Sequence, residues 1–516
     1  MPYQQTQWVP PHSFQQKRLR CLLLGINGAG MTAAAEILND AGHTVFGMDA
    51  GNPTPFPSRN CAASNATSWP ADAAAASANS HRFHGTTLLN WDPDAIPADL
   101  DVCVSTRAVA ADDPLTKALA AQDIRVIALP TFLAEIFAEH RQLCVAGTHG
   151  KSTTSAMLTW ILEQAGRTPS CFVGAHQLDV DCSGRFRTWA SGEPSAAASP
   201  LAVIESCEFR SSFLEFAPSV AVITGIERDH FDCFPDAASE DAAFAEFVAR
   251  AKEGSVLVHR ADCSRSVAVA RQFFGRSVSF EVCESLEDHS TDSRADWLAS
   301  RPVASGLSSR CELHHDGRQY ELRLSVPGLH NIHNAIAAIA AANAVGVDPE
   351  VACQALGSFH GIRRRFELRG HYGGMTLIDD YAHHPTAIRE TLQSVRQAFP
   401  GRRIIAAFEP HQHARTTALF NDFVQSLALA DEILILPVFA AREQVSHLEC
   451  CRASGRLVKA LNSGGGRAFL FASLDQIVSR IDHSGKPSDI FVTMGAGRTN
   501  LIHDELTRRL QRNSVA

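Results

Sequence analysis

Between Leu143 and Thr154 the chain reads LCVAGTHGKSTT, a stretch that admits few folds. An apolar strand, Leu143 to Ala146, runs into a glycine turn, then Lys151 and the hydroxyl run Ser152 to Thr154, then an apolar helix over Ala156 to Leu162. Strand, glycine loop and helix start in this order make a phosphate cradle. Gly147 and Gly150 let the backbone amides around Thr148 and His149 converge on phosphate oxygens, and the helix start adds partial positive charge. Lys151 reaches the outer phosphates, and Ser152, followed by Thr153, offers a hydroxyl to Mg²⁺. The strict phosphate-loop pattern asks for glycine where this chain has Val145. The flanking strand and helix therefore carry as much of the reading as the motif does.

A chain of 516 residues is too long for one core and implies about three domains. Its 45% hydrophobic and 20% charged content is globular. A formal net charge of -9 and the lack of a long Lys/Arg run give no reason to expect a nucleic-acid surface, and no nucleic-acid partner is expected. The 14 cysteines are scattered with no CxxC pair, as expected for free thiols in a reducing compartment. The opening MPYQQTQWVPPHSFQQKRLR holds no apolar run of the secretory kind, and no uncharged apolar run reaches the ~20 residues of a membrane span. A cytoplasmic protein without membrane insertion is expected.

From Arg18 a βαβ unit is expected: a strand Cys21 to Leu24, glycines at Gly25, Gly28 and Gly30, an alanine-rich helix to Leu38, and a strand Thr44 to Met48 ending at Asp49. Such a turn suits a nucleotide's pyrophosphate, with Asp49 where a ribose contact sits, although the spacing is G-x-x-G-x-G. Residues 51–80 read as surface loop. Strands are expected at Val102 to Ser105 and Val126 to Leu129, helices at Ala110 to Ala121 and Phe132 to His140. Residues 179–200 read as loop. Glu205 and Glu208 close one apolar strand, and Glu227, Asp229, His230 and Asp232 follow another. Acids and a histidine at the carboxyl ends of apolar strands, beside a phosphate loop, are placed for Mg²⁺. Residues 283–311 read as polar and aperiodic. Asn331 and Asn334 lie three apart at an Ala/Ile helix start, where a ligand or loop carbonyl should meet them. Arg363 to Arg365 mark a junction. Beyond it, alternating strands and helices place Asp379, Asp380, His383, His384, His411, His413 and Arg415 just past strand ends.

GTHGKSTT, DHFD, GLHNIHNAIAA, DDYAHHPT and EPHQHARTTALF, in this order and spacing, resemble the Mur ligases of peptidoglycan synthesis, and within them the alanine-adding branch. The resemblance spans Gly25 to Gly497. It implies an α/β, three-domain Mur ligase-like architecture: a Rossmann-like N-terminal domain (1–141) for the UDP-sugar, a P-loop central ATPase domain (142–367), and a Rossmann-like C-terminal domain (368–516) that brings the amino acid. It also implies ATP and Mg²⁺ as cofactors, and UDP-N-acetylmuramate and L-alanine as substrates of a monomer or homodimer. Gly25, Gly28 and Gly30 would then hold UDP pyrophosphate. Lys151 matches a phosphate contact; Ser152, Glu205 and His230 match metal ligands, with Glu208 a second carboxylate. Asn331 and Asn334 match residues that reach adenine, and Arg365 with Asp380 or Asp379 those for γ-phosphate and ribose. Tyr381, His383, His411 and Arg415 match the loops receiving the amino acid, Arg415 for its carboxylate, with His383 or His411 able to take the ammonium proton. The chain departs from the family at Gly225, which stands for Asn, and at Gln412, His413 and Ala414. A tripeptide-adding recycling ligase and an inactive UDP-sugar-binding regulator are the alternatives.

Overall fold

The computed structural model describes residues 17–50, 85–106, 109–110, 112–187, 199–284 and 295–515. The loop expected over 51–80 lies outside them. Three sheets follow one another along the chain. The first is parallel, in the order β3 (Thr86–Leu89), β2 (Thr44–Met48), β1 (Arg20–Leu24), β4 (Val102–Ser105), β5 (Val126–Ala128). Leu22 to Leu24 are wholly buried, as a central parallel strand covered on both faces must be.

The central sheet is built on β6 (Arg141–Ala146), flanked by β9 (Leu201–Glu205) and β10 (Val220–Ile223), all parallel. Outward from β9 lie β7 (Ser170–Gln177) and β8 (Cys182–Arg185); outward from β10 lie β11 (Val256–Arg260), β12 (Arg276–Cys283), β13 (Trp297–Ser305), β14 (Ser308–His315) and β15 (Arg318–Leu324). Two expectations are corrected here. The loop read over 179–200 contains β8, and the stretch read as aperiodic over 283–311 contains β13 and most of the β13–β14 hairpin. The hairpin hid because its ladder slips between Ser300 and Val303. A one-residue slip moves the apolar set to the other face and breaks the alternation. Helix bounds also moved: Pro114–Ala121, Leu129–Ile136 and Lys151–Gln164 are observed.

The third sheet runs β16 (Glu367–Tyr372), β17 (Met375–Asp380), β21 (Ile490–Met494), β18 (Ile404–Phe408), β19 (Glu432–Ile435), β20 (Ala468–Leu470), with only β16 antiparallel. The domains are not joined equally. One apolar cluster runs from Cys21, Leu23 and Ile37 of the first domain into Ala146, Phe172 and Phe213 of the second. Glu36, on the first-domain helix Ala29–Asp40, accepts the amides of Ser183 and Gly184. The third domain has separate apolar clusters and meets the second through the polar contacts described below. Interfaces of that polar kind permit relative motion. Among the described residues no helix is long and apolar enough to cross a membrane, and all cysteines are free.

Candidate active site

The phosphate loop leaves β6 through Gly147 (φ 127°) and enters the helix Lys151–Gln164 through Gly150 (φ 79°). Both φ values lie where L side chains are strained. A Cβ would also collide with the Thr224 hydroxyl at Gly147 and with Asn334 Oδ1 at Gly150. Gly150 caps the helix without a side-chain acceptor, so the first helical amides are left for an anion. Thr148 anchors the loop, its amide donating to Gly225 O (2.9 Å) and its hydroxyl to Glu227 O (3.1 Å). Gly225 itself sits at φ 146°, a backbone conformation that favours glycine. Lys151 Nζ donates to the carbonyls of Gly147 and Thr148 and pairs with Glu208 Oε2 at 3.0 Å. Burial works against that charge, yet Glu208, Cys207 and Glu205 together raise the Lys151 pKa. These contacts fix the direction of the ammonium.

Two carboxylates beside the loop have different partners. Ser152 Oγ donates to Glu205 Oε1 (2.9 Å), and the Gly174 amide to Glu205 Oε2 (2.6 Å). Glu208, wholly buried, faces Lys151 and His230 Nε2 (3.4 Å). Burial tends to raise its pKa, but Lys151 and His230 hold it down. His230 is held well above the usual imidazole range: burial opposes its charge, while Cys207, Glu208 and Asp229 outweigh that. The oxygen donors Ser152 and Glu205 fit Mg²⁺, a hard cation that takes carboxylate and hydroxyl oxygen. Cys207, Glu208 and His230 each bring a ligand atom within 4.8 Å of the others. Cys207 escaped the sequence reading; its signal was its place between two acids in Glu205–Glu208.

Residues of the third domain come against this group. Arg415 is 2% exposed; its Nε and Nη2 both donate to Asp229 Oδ1, at 2.8 and 2.6 Å, and Nη1 donates to His411 Nδ1 at 3.1 Å. Its guanidinium thus clamps the two domains, where the sequence reading had it free for a substrate carboxylate. Asp229, the other jaw, was noted only as one acid among several. His411 and His383 lie with ring centroids 5.8 Å apart. Burial first, and Arg415 next, lower both imidazoles, His411 to about 4. His383 Nδ1–H donates to Tyr381 O (2.9 Å), which leaves Nε2 as a proton acceptor. The guanidinium groups of Arg364 and Arg365 lie over the Tyr381 ring, at 5.0 and 5.2 Å from its centroid. Asp380 is a turn residue: its carboxylate accepts the amides of Phe366 (2.9 Å) and Ala382 (2.8 Å). Asp379 is buried against Thr493 (2.7 Å) and raised by burial to about 6.

The expected loop carbonyl meets the asparagines. Asn331 Nδ2 donates to Pro327 O (2.7 Å), Asn334 Nδ2 to Asn331 Oδ1 (3.0 Å), and Asn334 Oδ1 accepts from Thr154 (3.3 Å). Asn334 therefore braces the phosphate loop. In the first domain, Asp49 Oδ2 accepts the Asn27 amide at 3.0 Å, tying the glycine turn to the end of β2. Gly30 faces Leu129 and Phe172, where a Cβ would sit 3.1 and 3.4 Å from their side chains. It is a packing glycine; Gly25 and Gly28 shape the turn.

Comparison with known proteins finds relatives along most of the chain. Family models match residues 22–141 (Mur ligase family, catalytic domain), 145–342 (Mur ligase middle domain) and 364–497 (Mur ligase, glutamate ligase domain). The UDP-N-acetylmuramate–L-alanine ligase of Chloroflexus aggregans is 33% identical over 95% of this chain and 98% of its own length. That of Kineococcus radiotolerans is 34% identical over 95% and 96%. Among solved structures, a murein peptide ligase from Psychrobacter arcticus aligns with TM-score 0.71 and 26% identity over 95% of this chain and 98% of its own. The UDP-N-acetylmuramate-alanine ligase from Thermotoga maritima shares the fold, with TM-score 0.74 and 23% identity over 96% and 100%.

Proposed function

The chain belongs to the Mur ligase family, and from that premise we propose that it joins L-alanine to the lactyl carboxylate of UDP-N-acetylmuramate. The reaction is an ATP-dependent, Mg²⁺-using amide ligation that builds a peptidoglycan precursor in the cytoplasm. One observation carries the reading: an unbroken run of polar contacts links the phosphate loop to the third domain. It passes from Lys151 to Glu208 to His230, and from the adjacent Asp229 through Arg415 to His411. This run supports a reading in which chemistry at the phosphates and delivery of an amine share one site.

The lactyl carboxylate attacks the γ-phosphate, giving an acyl phosphate and ADP, and the amine of L-alanine attacks the acyl carbon, whose bond to the phosphate oxygen breaks to release inorganic phosphate. Ser152 and Glu205, with His230 once it has given up its proton, would hold Mg²⁺, which would supply charge neutralisation at the phosphates. Lys151 meets the negative charge that grows there, already oriented by two carbonyls and Glu208. Closure through Arg415 and Asp229 excludes water from the acyl phosphate. His383, neutral and with Nε2 open, takes a proton from the ammonium. Arg365, at the junction into the third domain, lies over the Tyr381 ring of that domain.

Phosphate release from ATP and UDP-N-acetylmuramate, with L-alanine, glycine, L-serine or a tripeptide as amine, tests this. L-Alanine should give the fastest release. The tripeptide would be fastest for a recycling ligase, a reading favoured by Ala382 and by the likeness to the murein peptide ligase. No release with any amine would leave a UDP-sugar-binding regulator.

A further inference from the structure

A second cluster of metal-ligating side chains lies across the domain boundary, apart from the Ser152–Glu205–His230 group. His149 of the phosphate loop, Glu227 after β10 and His384 at the start of the third-domain helix Pro385–Ala398 each offer one ligand atom, all within 4.8 Å of one another. His149 Nε2 stands 3.4 Å and His384 Nδ1 3.9 Å from the same oxygen, Glu227 Oε2. The two imidazole rings are 4.7 Å apart.

The hydrogen bonds fix the tautomer of His384. Its Nε2 faces the carbonyl of Arg228 at 3.3 Å and must donate to it. Its Nδ1 accepts the Thr386 amide at 3.3 Å and so carries a lone pair. A cation would take that lone pair in place of the long Thr386 contact, and would replace the His149 proton at Glu227 Oε2, which also accepts from Thr386 Oγ1 at 2.7 Å. Burial, and then His149, lower His384 to about 4, so at neutral pH the ring is an uncharged ligand. Burial tends to raise Glu227, but its hydrogen bonds from His149 and Thr386 hold it at about 2. A cavity of about 420 Å³ opens beside Glu227 and His384, giving water room to reach a fourth position.

We infer that His149, Glu227 and His384 form a binding site for Zn²⁺ or a similar borderline divalent ion, which bolts the third domain to the phosphate loop. Two imidazoles and a carboxylate with an open fourth position are a zinc donor set, less suited to Mg²⁺. Ligands at ~2.0–2.1 Å around a tetrahedral ion lie roughly 3.3 Å apart. The observed spacings of 3.4 and 3.9 Å need only small side-chain rotations. Because the ligands come from both sides of the boundary, occupancy favours the closed form. Product must leave through opening, so the ion acts as an inhibitor of turnover.

The test uses the full-length protein stripped by chelator, with Mg²⁺ in excess and Co²⁺ as the probe. The wild type should develop the intense visible bands of tetrahedral Co²⁺, saturating at one equivalent, and Zn²⁺ should displace them. His384→Asn keeps a helix-capping side chain and removes the imidazole. It and Glu227→Gln, at a residue on the open side of the cluster, should each weaken Co²⁺ binding at least ten-fold. Cys207→Ser should leave the bands unchanged. Bands that survive both His384→Asn and Glu227→Gln, or that vanish in Cys207→Ser, overturn the site; in the second case the ion belongs with Cys207, Glu208 and His230. Absence of tetrahedral bands in the wild type overturns it outright, whatever the ligase assay gives.

Discussion

The turn after β1 and the turn after β6 both leave the interior of a parallel sheet through glycine and enter a helix, yet they present opposite chemistry. Beside Gly25 and Gly28 the Asp49 carboxylate accepts the Asn27 amide, so an acid rather than a cation braces that turn among the described residues. Around Gly147 and Gly150, Lys151 is anchored by two carbonyls and Glu208, and Ser152 leans on Glu205. The first turn offers a diphosphate its backbone amides. The second can neutralise charge that changes during a reaction. Topology makes a nucleotide turn; the side chains beside it decide between holding and reacting.

Lys151→Ala is the most severe way to press this contrast. Ligation should fall by at least ~10³-fold, the scale on which a fixed stabilising donor acts in a transition state. UDP-N-acetylmuramate affinity, measured by calorimetry, should stay within about two-fold. If both fall together, the two turns are not independent.

Arg415→Ala asks whether the second turn needs the third domain. The substitution leaves Asp229 buried and unpaired, at a cost of about 3–5 kcal/mol for a broken buried pair. In the closed form this corresponds to a loss of roughly 10²-fold or more in kcat/KM, with UDP-sugar affinity again unchanged. A selective ten-fold rise in the KM for L-alanine, with kcat intact, would instead return Arg415 to the role of carboxylate receptor.

These two residues also mark how far the sequence is legible. Lys151 lies in a contiguous motif whose strand, turn and helix are dictated locally, and β2 and β4 stand at Thr44–Met48 and Val102–Ser105 as read. The Arg415–Asp229 pair spans 186 residues and exists only where two separately cored domains meet. No local periodicity encodes that meeting. The β13–β14 hairpin was lost for another reason: its slip near Arg301 (φ 52°) scrambles the alternation on which a strand is recognised. Asp380 and Asn334 were legible as special residues, but their partners are loop amides and the phosphate loop itself, which chain order does not reveal.

Asp49→Ala probes the first turn from its own side. Loss of the Asn27 hydrogen bond loosens a backbone cradle, and a hydrogen bond to a charged group is worth about 1.5–3 kcal/mol. Because the freed amide remains able to meet a diphosphate oxygen, UDP-sugar affinity should fall by less than about ten-fold. The KM for ATP should not move. Asp49→Asn, which keeps an acceptor, should recover most of the loss.

The gentlest comparison is at the feet of the two strands. His43 Nδ1 accepts the Leu19 amide just before β1 (3.1 Å), and His140 Nε2 lies 3.1 Å from both Ser170 Oγ and Arg187 O just before β6. Burial lowers each imidazole to about 4, below the ~6.5 of an unfolded chain. As pH falls below ~6.5 the unfolded chain takes up protons that the folded one refuses, so stability is full above that pH and declines toward pH 4. Between pH 7 and 5.5 each group should remove about 1 kcal/mol. Asp379 acts in the opposite sense: burial raises it to about 6, so its share of stability grows as pH falls and separate variants are needed. Urea midpoints at pH 7 and 5.5 should show a smaller acid loss in His43→Gln and in His140→Gln than in the wild type. Equal acid losses in wild type and both variants would mean that neither imidazole is held neutral, and that the two strands are anchored by packing alone.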